Sequence, residues 1–299
     1  MRIYDCFTFY NEYDLLEWRL RLLYNIVDVF VIVEADRTFQ NNSKPFNFLQ
    51  AEQRFAPYKD KIRYIKLSGD IPYTSDWSIE IFQRNNISQG LYDCQPEDIV
   101  MISDVDEIMD PRVLNKIIDN KIGVSFFPDT YLKERAGIRG LSRNTRCLLK
   151  NLGSFTKRQH ILDVMQNTPV VCAEEMFEFF INYKCRFTWC GLILSYFKNL
   201  TTPQKLRDQR NLLPMVNGGW HFSSLGGVKA IKNKLRSTSD GMKNPVLKLP
   251  EEQQDEYIAR ELSAGRIWWT NEPLKKCSIN ELDIPEITWF SEKFPYMKC

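Results

Sequence analysis

The stretch "DIVMISDVDEIMDP", residues 98–111, joins an apolar run to a cluster of acids: Ile99 to Ile102, then Asp104, Asp106, Glu107 and Asp110. An unbroken apolar run of this length suits a central strand buried on both faces. In open α/β sheets ligands bind beyond the carboxyl ends of such strands, which is where these acids fall. One bland use for them is capping of the next helix. Asp110 already fills that role, because it is followed by Pro111, and proline is favoured at the first helical position. Asp104 and Asp106 are left without a capping duty. In extended backbone, residues i and i+2 point the same way, so the two carboxylates of D-x-D can approach one hard cation.

The same alternation of strand and helix extends outward from this stretch. "RIYDCFTF" reads as a strand, Tyr13, Leu16, Leu20 and Leu23 recur at helical spacing, and "VDVFVIVEA" returns to a strand. "KIRYIKL" is a third strand, "DWSIEIFQRNNISQGL" a helix, and "PRVLNKIIDN" a helix with Leu114, Ile117 and Ile118 on one face. The pattern predicts an α/β fold, a mostly parallel sheet flanked by helices. After Gly123 the periodicity weakens, and "VSFFPDTYL" and "EMFEFFINYKCRFTWCGLIL" read as mixed strand and helix. "GGVKAIKNKLRS" and "LPEEQQDEYIARELSAG" read as helices, the second stopped by Gly265. With no repeat and no linker, residues 1–299 are expected to form a single domain.

The 299 residues are enough to bury a sizeable core, and 43% hydrophobic content places the chain among globular proteins. Forty basic against 38 acidic residues leave a net charge of +2, which gives no electrostatic reason to expect a nucleic-acid partner. No transmembrane segment and no signal-peptide core is visible. The expected location is therefore cytoplasmic, with a lumenal domain trimmed of its anchor as the alternative. Eight cysteines without a C-x-x-C pair argue against a zinc knuckle, and a core of this size favours reduced, buried thiols.

Two further clusters bear on chemistry. Glu80 and Arg84 stand four apart on a helix, a spacing that by itself predicts a surface ion pair worth about 0.3 to 0.5 kcal/mol. "NGGWHFSSLGG", residues 217–227, surrounds His221 with four glycines, which permit close backbone approach to a ligand, and Gly226 and Gly227 precede a helix whose N-terminus suits phosphate. His160, the other histidine, has no such setting and is read as structural. Trp189 and Trp220 are candidates to stack on sugar faces, although as core aromatics they need no function.

Together, "IYDCFTFYNEYDLLEWRL", "VDVFVIVEADRTFQ", "EIFQRNNISQGL", "DIVMISDVDEI" and "GGWHFSSLGG" resemble glycosyltransferase family 17, in family order over about residues 3 to 240. This is the family of β-1,4-mannosyl-glycoprotein β-1,4-N-acetylglucosaminyltransferase. The resemblance implies a GT-A-like fold with a nucleotide-binding part over about 1–122 and an acceptor-binding, metal-completing part over about 123–299. It implies an inverting, metal-dependent enzyme that moves a sugar, GlcNAc above all, from a UDP-sugar donor to a glycan acceptor, protein- or lipid-linked. By this likeness Asp104, Asp106 and His221 hold Mn²⁺ (or Mg²⁺), to which imidazole with carboxylates is suited. Asn11, Glu12, Glu34, Arg84, Asn85 and Asp104 contact the donor. Lys234, in "NKLRSTS", meets the leaving phosphate, although its basic neighbours equally suggest a solvated helix face. Animal members are membrane-anchored, and this chain shows no anchor, so a bacterial or viral-type soluble enzyme is expected and the acceptor stays open.

A single displacement also needs a carboxylate to take the hydroxyl proton. "CAEEMFEFF" offers Glu174, Glu175 and Glu178, of which Glu175 is the expected base, while Asp163 and Asp208 are outsiders. Trp189 and Trp220 are the expected acceptor contacts. The rival reading is a catalytically inactive glycan-binding or scaffold relative, against which the joint presence of Asp104, Asp106 and His221 speaks. A nucleotidyltransferase would need a glycine-rich triphosphate loop, which "FTFYNEYD" lacks.

Overall fold

The first strands form because their apolar residues find cover on both faces. The computed structural model describes residues 1–75, 77–124 and 159–299. Cys147 and nearly all of "VSFFPDTYL" lie outside them. Strands β1 (Ile3–Thr8), β2 (Val29–Ala35), β3 (Ile62–Leu67) and β4 (Ile99–Asp104) pair in parallel, in the order β3-β2-β1-β4. One face carries Phe7, Phe30, Ile32, Ile99 and Met101, packed on α1 (Tyr13–Leu23) and α5 (Pro111–Ile118). The other carries Cys6, Val31, Val33, Val100 and Ile102, packed on α4 (Ser78–Asn85). Between β2 and β3 lie two single-turn helices, α2 (Asn47–Gln50) and α3 (Glu52–Phe55).

The second part of the chain extends the same sheet and reverses its sense. After a short helix α6 (Ile161–Met165), β6 (Val170–Glu178) and β7 (Tyr183–Tyr196) form a long antiparallel pair, and β7 joins the edge of β4. The second stretch read as mixed, residues 175–194, is thus strand on either side of a turn at 179–182. β8 (Met215–Ser223) runs parallel to β6, and the two-residue β5 (Glu107–Ile108) closes the sheet against β8. The expected parallel arrangement therefore holds for the N-terminal strands, and the completed sheet is mixed. Helices α7 (Pro203–Gln209), α8 (Gly227–Leu235), α9 (Glu251–Ser263) and α10 (Ile287–Lys293) surround this half.

The expected helix over 76–91 ends at Asn85 and continues as a 3₁₀ turn, Asn86–Leu91. Asp110 caps α5 as its sequence implies, its side chain accepting from the N–H of Arg112 at 2.8 Å. None of the seven described cysteines is in a disulfide. Among the described residues no helix is long and apolar enough to cross a membrane.

Candidate active site

Strands β1 and β4 end in register, Thr8 beside Asp104, and a cleft of about 460 Å³ opens beyond them. Asp104 is the last residue of β4, and Asp106 follows on the turn into β5. That turn is held from below by Arg19, a fully buried residue of α1. Its Nη1 donates to the carbonyls of Asp104, Val105 and Glu107 at 2.9, 3.2 and 2.8 Å, and its Nε donates to Asp5 at 2.8 Å.

The two aspartates have different partners. Asp104 Oδ1 accepts from Arg84 Nη2 at 2.8 Å and Oδ2 from Arg207 Nη2 at 2.6 Å, and both arginines are buried. Burial alone would raise the Asp104 pKa, but Arg207 and Arg84 outweigh it and hold the carboxyl well below its usual range. Arg207 is itself fixed by Glu107, whose oxygens also take the indole N–H of Trp189 at 2.6 Å and the N–H of Asp104 at 2.9 Å. Gly191 leaves room for this: a Cβ there would lie 2.0 Å from the Glu107 carboxylate.

Asp106 instead faces Lys234 and His221. Its Oδ2 accepts from Lys234 Nζ at 2.9 Å, and its Oδ1 lies 3.6 Å from His221 Nε2. Burial opposes ionisation of Asp106, yet Lys234 and His221 depress its pKa; burial would lower the His221 pKa, yet Asp106 raises it. His221 reaches this place because β5 pairs with β8, Glu107 opposite His221. A bulge sets its side: between Ala173 and Glu175 the partner β8 advances from Asn217 to Trp220, one residue too many. Gly219 takes φ +98° there, and a Cβ would sit 2.5 Å from the Ile108 carbonyl oxygen. Gly218 and Gly219 thus serve the bulge and its packing.

Asp106 and His221 fit a divalent cation, with one carboxylate oxygen and one imidazole nitrogen converging on the cleft. Asp104 does not join them, since both its oxygens are engaged by guanidinium groups. Among the described residues no group of three or more His, Cys, Asp and Glu side chains converges as a metal set. The cleft lining nonetheless carries more carboxylates than cations, a balance ill suited to a diphosphate unless a cation accompanies it.

The other expected residues divide clearly. Glu12, Arg84, Lys234 and Trp189 line the cleft, and Glu12, Asp106 and Lys234 also border an adjoining lobe of about 220 Å³ together with Asn11 and Gly226. Burial and Asp106 raise the Glu12 pKa. Its Oε2 accepts from the N–H groups of Tyr10 and Asn11. Asn85 does not reach the cleft; its Oδ1 accepts the N–H of Gln204 and so anchors α7, the helix that carries Arg207. Glu34 lies within β2, fully buried, and Lys44, the N–H groups of Asn47 and Phe48 and the hydroxyl of Tyr64 use its oxygens. Trp220 packs in the core with Trp18, Phe177 and Ile108.

Glu175, the expected base, is exposed, pairs with Lys184 and does not line the cleft. Neighbouring Glu174 and Glu178 are buried in the sheet, where burial raises both pKa values. Asp163 lies on α6, away from the cleft. Asp208 lines it, with Oδ1 accepting from Gln204 Nε2 at 2.8 Å.

Sequence reading saw Glu107 in the acid cluster but gave it no role, and it missed Arg19, Arg207 and Arg210. Arg19 left a trace: a charged residue in register with Leu16 and Leu23 on the apolar face of α1.

Residues 1–120 match the family model described as Glycosyltransferase family 17, so the likeness read from the motifs holds over that stretch, while the segment with His221 lies beyond it. Among curated proteins, the β-1,4-mannosyl-glycoprotein 4-β-N-acetylglucosaminyltransferases of Rattus norvegicus and Homo sapiens are each 27% identical over 115 residues, covering 36% of this chain. The match spans about a fifth of those relatives, 21% and 22% of their lengths. Among solved structures, the galactosyltransferase LgtC in complex with donor and acceptor sugar analogs aligns at TM-score 0.34 and 12% identity, over 73% of each chain. A 2-C-methyl-D-erythritol 4-phosphate cytidylyltransferase of Francisella tularensis aligns at TM-score 0.31 and 12% identity, over 73% of this chain and 91% of that one.

Proposed function

We propose that the chain is a glycosyltransferase that moves a sugar, GlcNAc, from a UDP-sugar to a glycan acceptor by a single inverting displacement. The observation that carries this reading is the D-x-D pair at the end of β4, opening on a cleft with His221 and Lys234 beside Asp106. The family match over residues 1–120 and the names of the curated relatives support sugar transfer and suggest the donor sugar.

Asp106 and His221 would hold the divalent cation, Mn²⁺ or Mg²⁺, which when bound offsets charge on the departing diphosphate. Lys234 is the cation placed to meet the leaving phosphate. Asp104 acts through the arginines it binds, fixing the floor on which the donor rests. Of the carboxylates on the cleft, Asp208 pairs with no cation among the described residues, its Oδ1 accepting from the Gln204 amide, and it is the base assigned here to the acceptor hydroxyl. As that proton leaves, the hydroxyl oxygen bonds to the anomeric carbon and the bond to phosphate breaks.

The test is UDP release from a panel of UDP-sugars, with Mn²⁺ and with chelator, for the native chain, Asp106→Asn and Asp208→Asn. Release with UDP-GlcNAc that chelator and Asp106→Asn abolish is expected. Asp208→Asn is expected to cut kcat about 100-fold or more while UDP affinity stays within a few fold. A native chain that neither binds UDP nor releases it overturns the reading.

A further inference from the structure

Arg84, Arg207 and Lys234 border the D-x-D pair, and each holds a carboxylate. Arg210 does not. It lines the same cleft, its Nη1 donates to the Arg207 carbonyl at 3.0 Å, and among the described residues no carboxylate pairs with it. Its guanidinium lies over the Trp189 ring, 5.6 Å from the centroid, and Trp189 is held in turn by Glu107. Burial and the neighbouring charge of Arg207 both disfavour the Arg210 cation. A positioned, half-buried guanidinium with unused donors is built to receive an anion, and its planar fork matches carboxylate and phosphate.

The position of Arg210 tells which substrate brings the anion. Arg210 follows Asp208, the base assigned above, by two residues at the end of α7, and both line the cleft, whereas Lys234 and His221, the groups beside Asp106, are delivered by α8 and β8. A group held at Arg210 therefore belongs to the molecule whose hydroxyl Asp208 meets. We propose that Arg210, seated on Trp189, makes the cleft selective for acceptors that carry a carboxylate or phosphate near the attacked hydroxyl, as in a uronic acid or a sugar phosphate. This rests on the glycosyltransferase reading for its roles, but the binding of a sugar acid does not.

The experiment has two arms. In the first, the native chain, Arg210→Gln and Arg210→Lys are titrated with glucuronate, glucose 6-phosphate and glucose, and separately with UDP. In the second, kcat/KM is measured for acidic and neutral acceptors. The native chain is expected to bind the two acidic sugars more tightly than glucose. Arg210→Gln is expected to reduce the acidic-to-neutral ratio about tenfold in both arms, Arg210→Lys to retain most of it, and UDP affinity to change less than twofold. A native chain without preference for acidic sugars, or an Arg210→Gln variant that keeps the ratio, overturns the proposal. Loss of UDP affinity in Arg210→Gln overturns it in favour of a donor-phosphate contact. If the native chain binds no UDP, the glycosyltransferase reading fails, and the glucuronate titration still decides whether Arg210 receives an anion.

Discussion

Asp104 and Asp106 stand two residues apart, yet their surroundings give them opposite duties. Asp104 is locked between two buried arginines and belongs to the scaffold. Asp106 meets one lysine and one histidine at the cleft, partners that an incoming ligand can replace. The D-x-D spacing brings both carboxylates to the same strand end, and the groups delivered by distant segments, α4 and α7 for one and β8 and α8 for the other, decide what each carboxylate does.

The strongest way to break this contrast is to remove what both aspartates hang from. Arg19→Leu leaves Asp5 uncompensated in the core and three turn carbonyls without a donor. It is expected to cost about 3 to 5 kcal/mol in reversible urea unfolding and to abolish activity. Asp106→Asn sharpens the contrast from the other side: transfer should fall about 10³-fold, and although the urea midpoint falls too, because the buried carboxylate pairs with Lys234, the loss of transfer is the larger effect. Asp104→Asn should show the reverse emphasis. Its loss leaves two buried guanidiniums short of a partner, and a cost of about 2 to 3 kcal/mol is expected. That is less than for a fully enclosed pair, because the Asp104 side chain stays 32% exposed to screening solvent. An Asp104→Asn protein as stable as the native one would remove the distinction.

The smallest effect tests a carboxylate with no part in either duty. Glu174 is buried beside Glu107, with Oε2 accepting from the N–H groups of Gly191 and Leu192 and Oε1 without a partner. Burial, then Glu107, raises its folded pKa well above 4.5. The stability it contributes is thus complete below the unfolded value and is lost as pH rises toward the folded one. Glu174→Gln should gain steadily on the native chain as pH is raised from about 4.5 to neutrality, followed as the difference in urea midpoints.

The N-terminal strands were legible because burial on both faces writes an unbroken apolar run, as in "VFVIVEA" and "IVMIS". The antiparallel half was not. β6 carries two irregularities against its neighbours, so no simple alternation tells that Glu174 and Glu178 point inward while Glu175 faces solvent. The acids of the site announced themselves, whereas Arg207 and Arg210 sit in a short helix and turn whose sequence, "PQKLRDQRNL", resembles any polar surface segment. Glu34 was assigned to the donor wrongly because a place near the end of a strand, here inside β2, says nothing about which neighbours consume a carboxylate's oxygens.

The bulge in β8 makes the geometry of the cleft a matter of parity. Every side chain beyond Gly219 owes its face to one surplus residue, so deleting a single codon at 218 or 219 would exchange Trp220 and His221 between core and cleft. An in-frame deletion of one glycine would disable the site more thoroughly than most point substitutions within it, and a compensating insertion a few codons downstream would not restore the histidine.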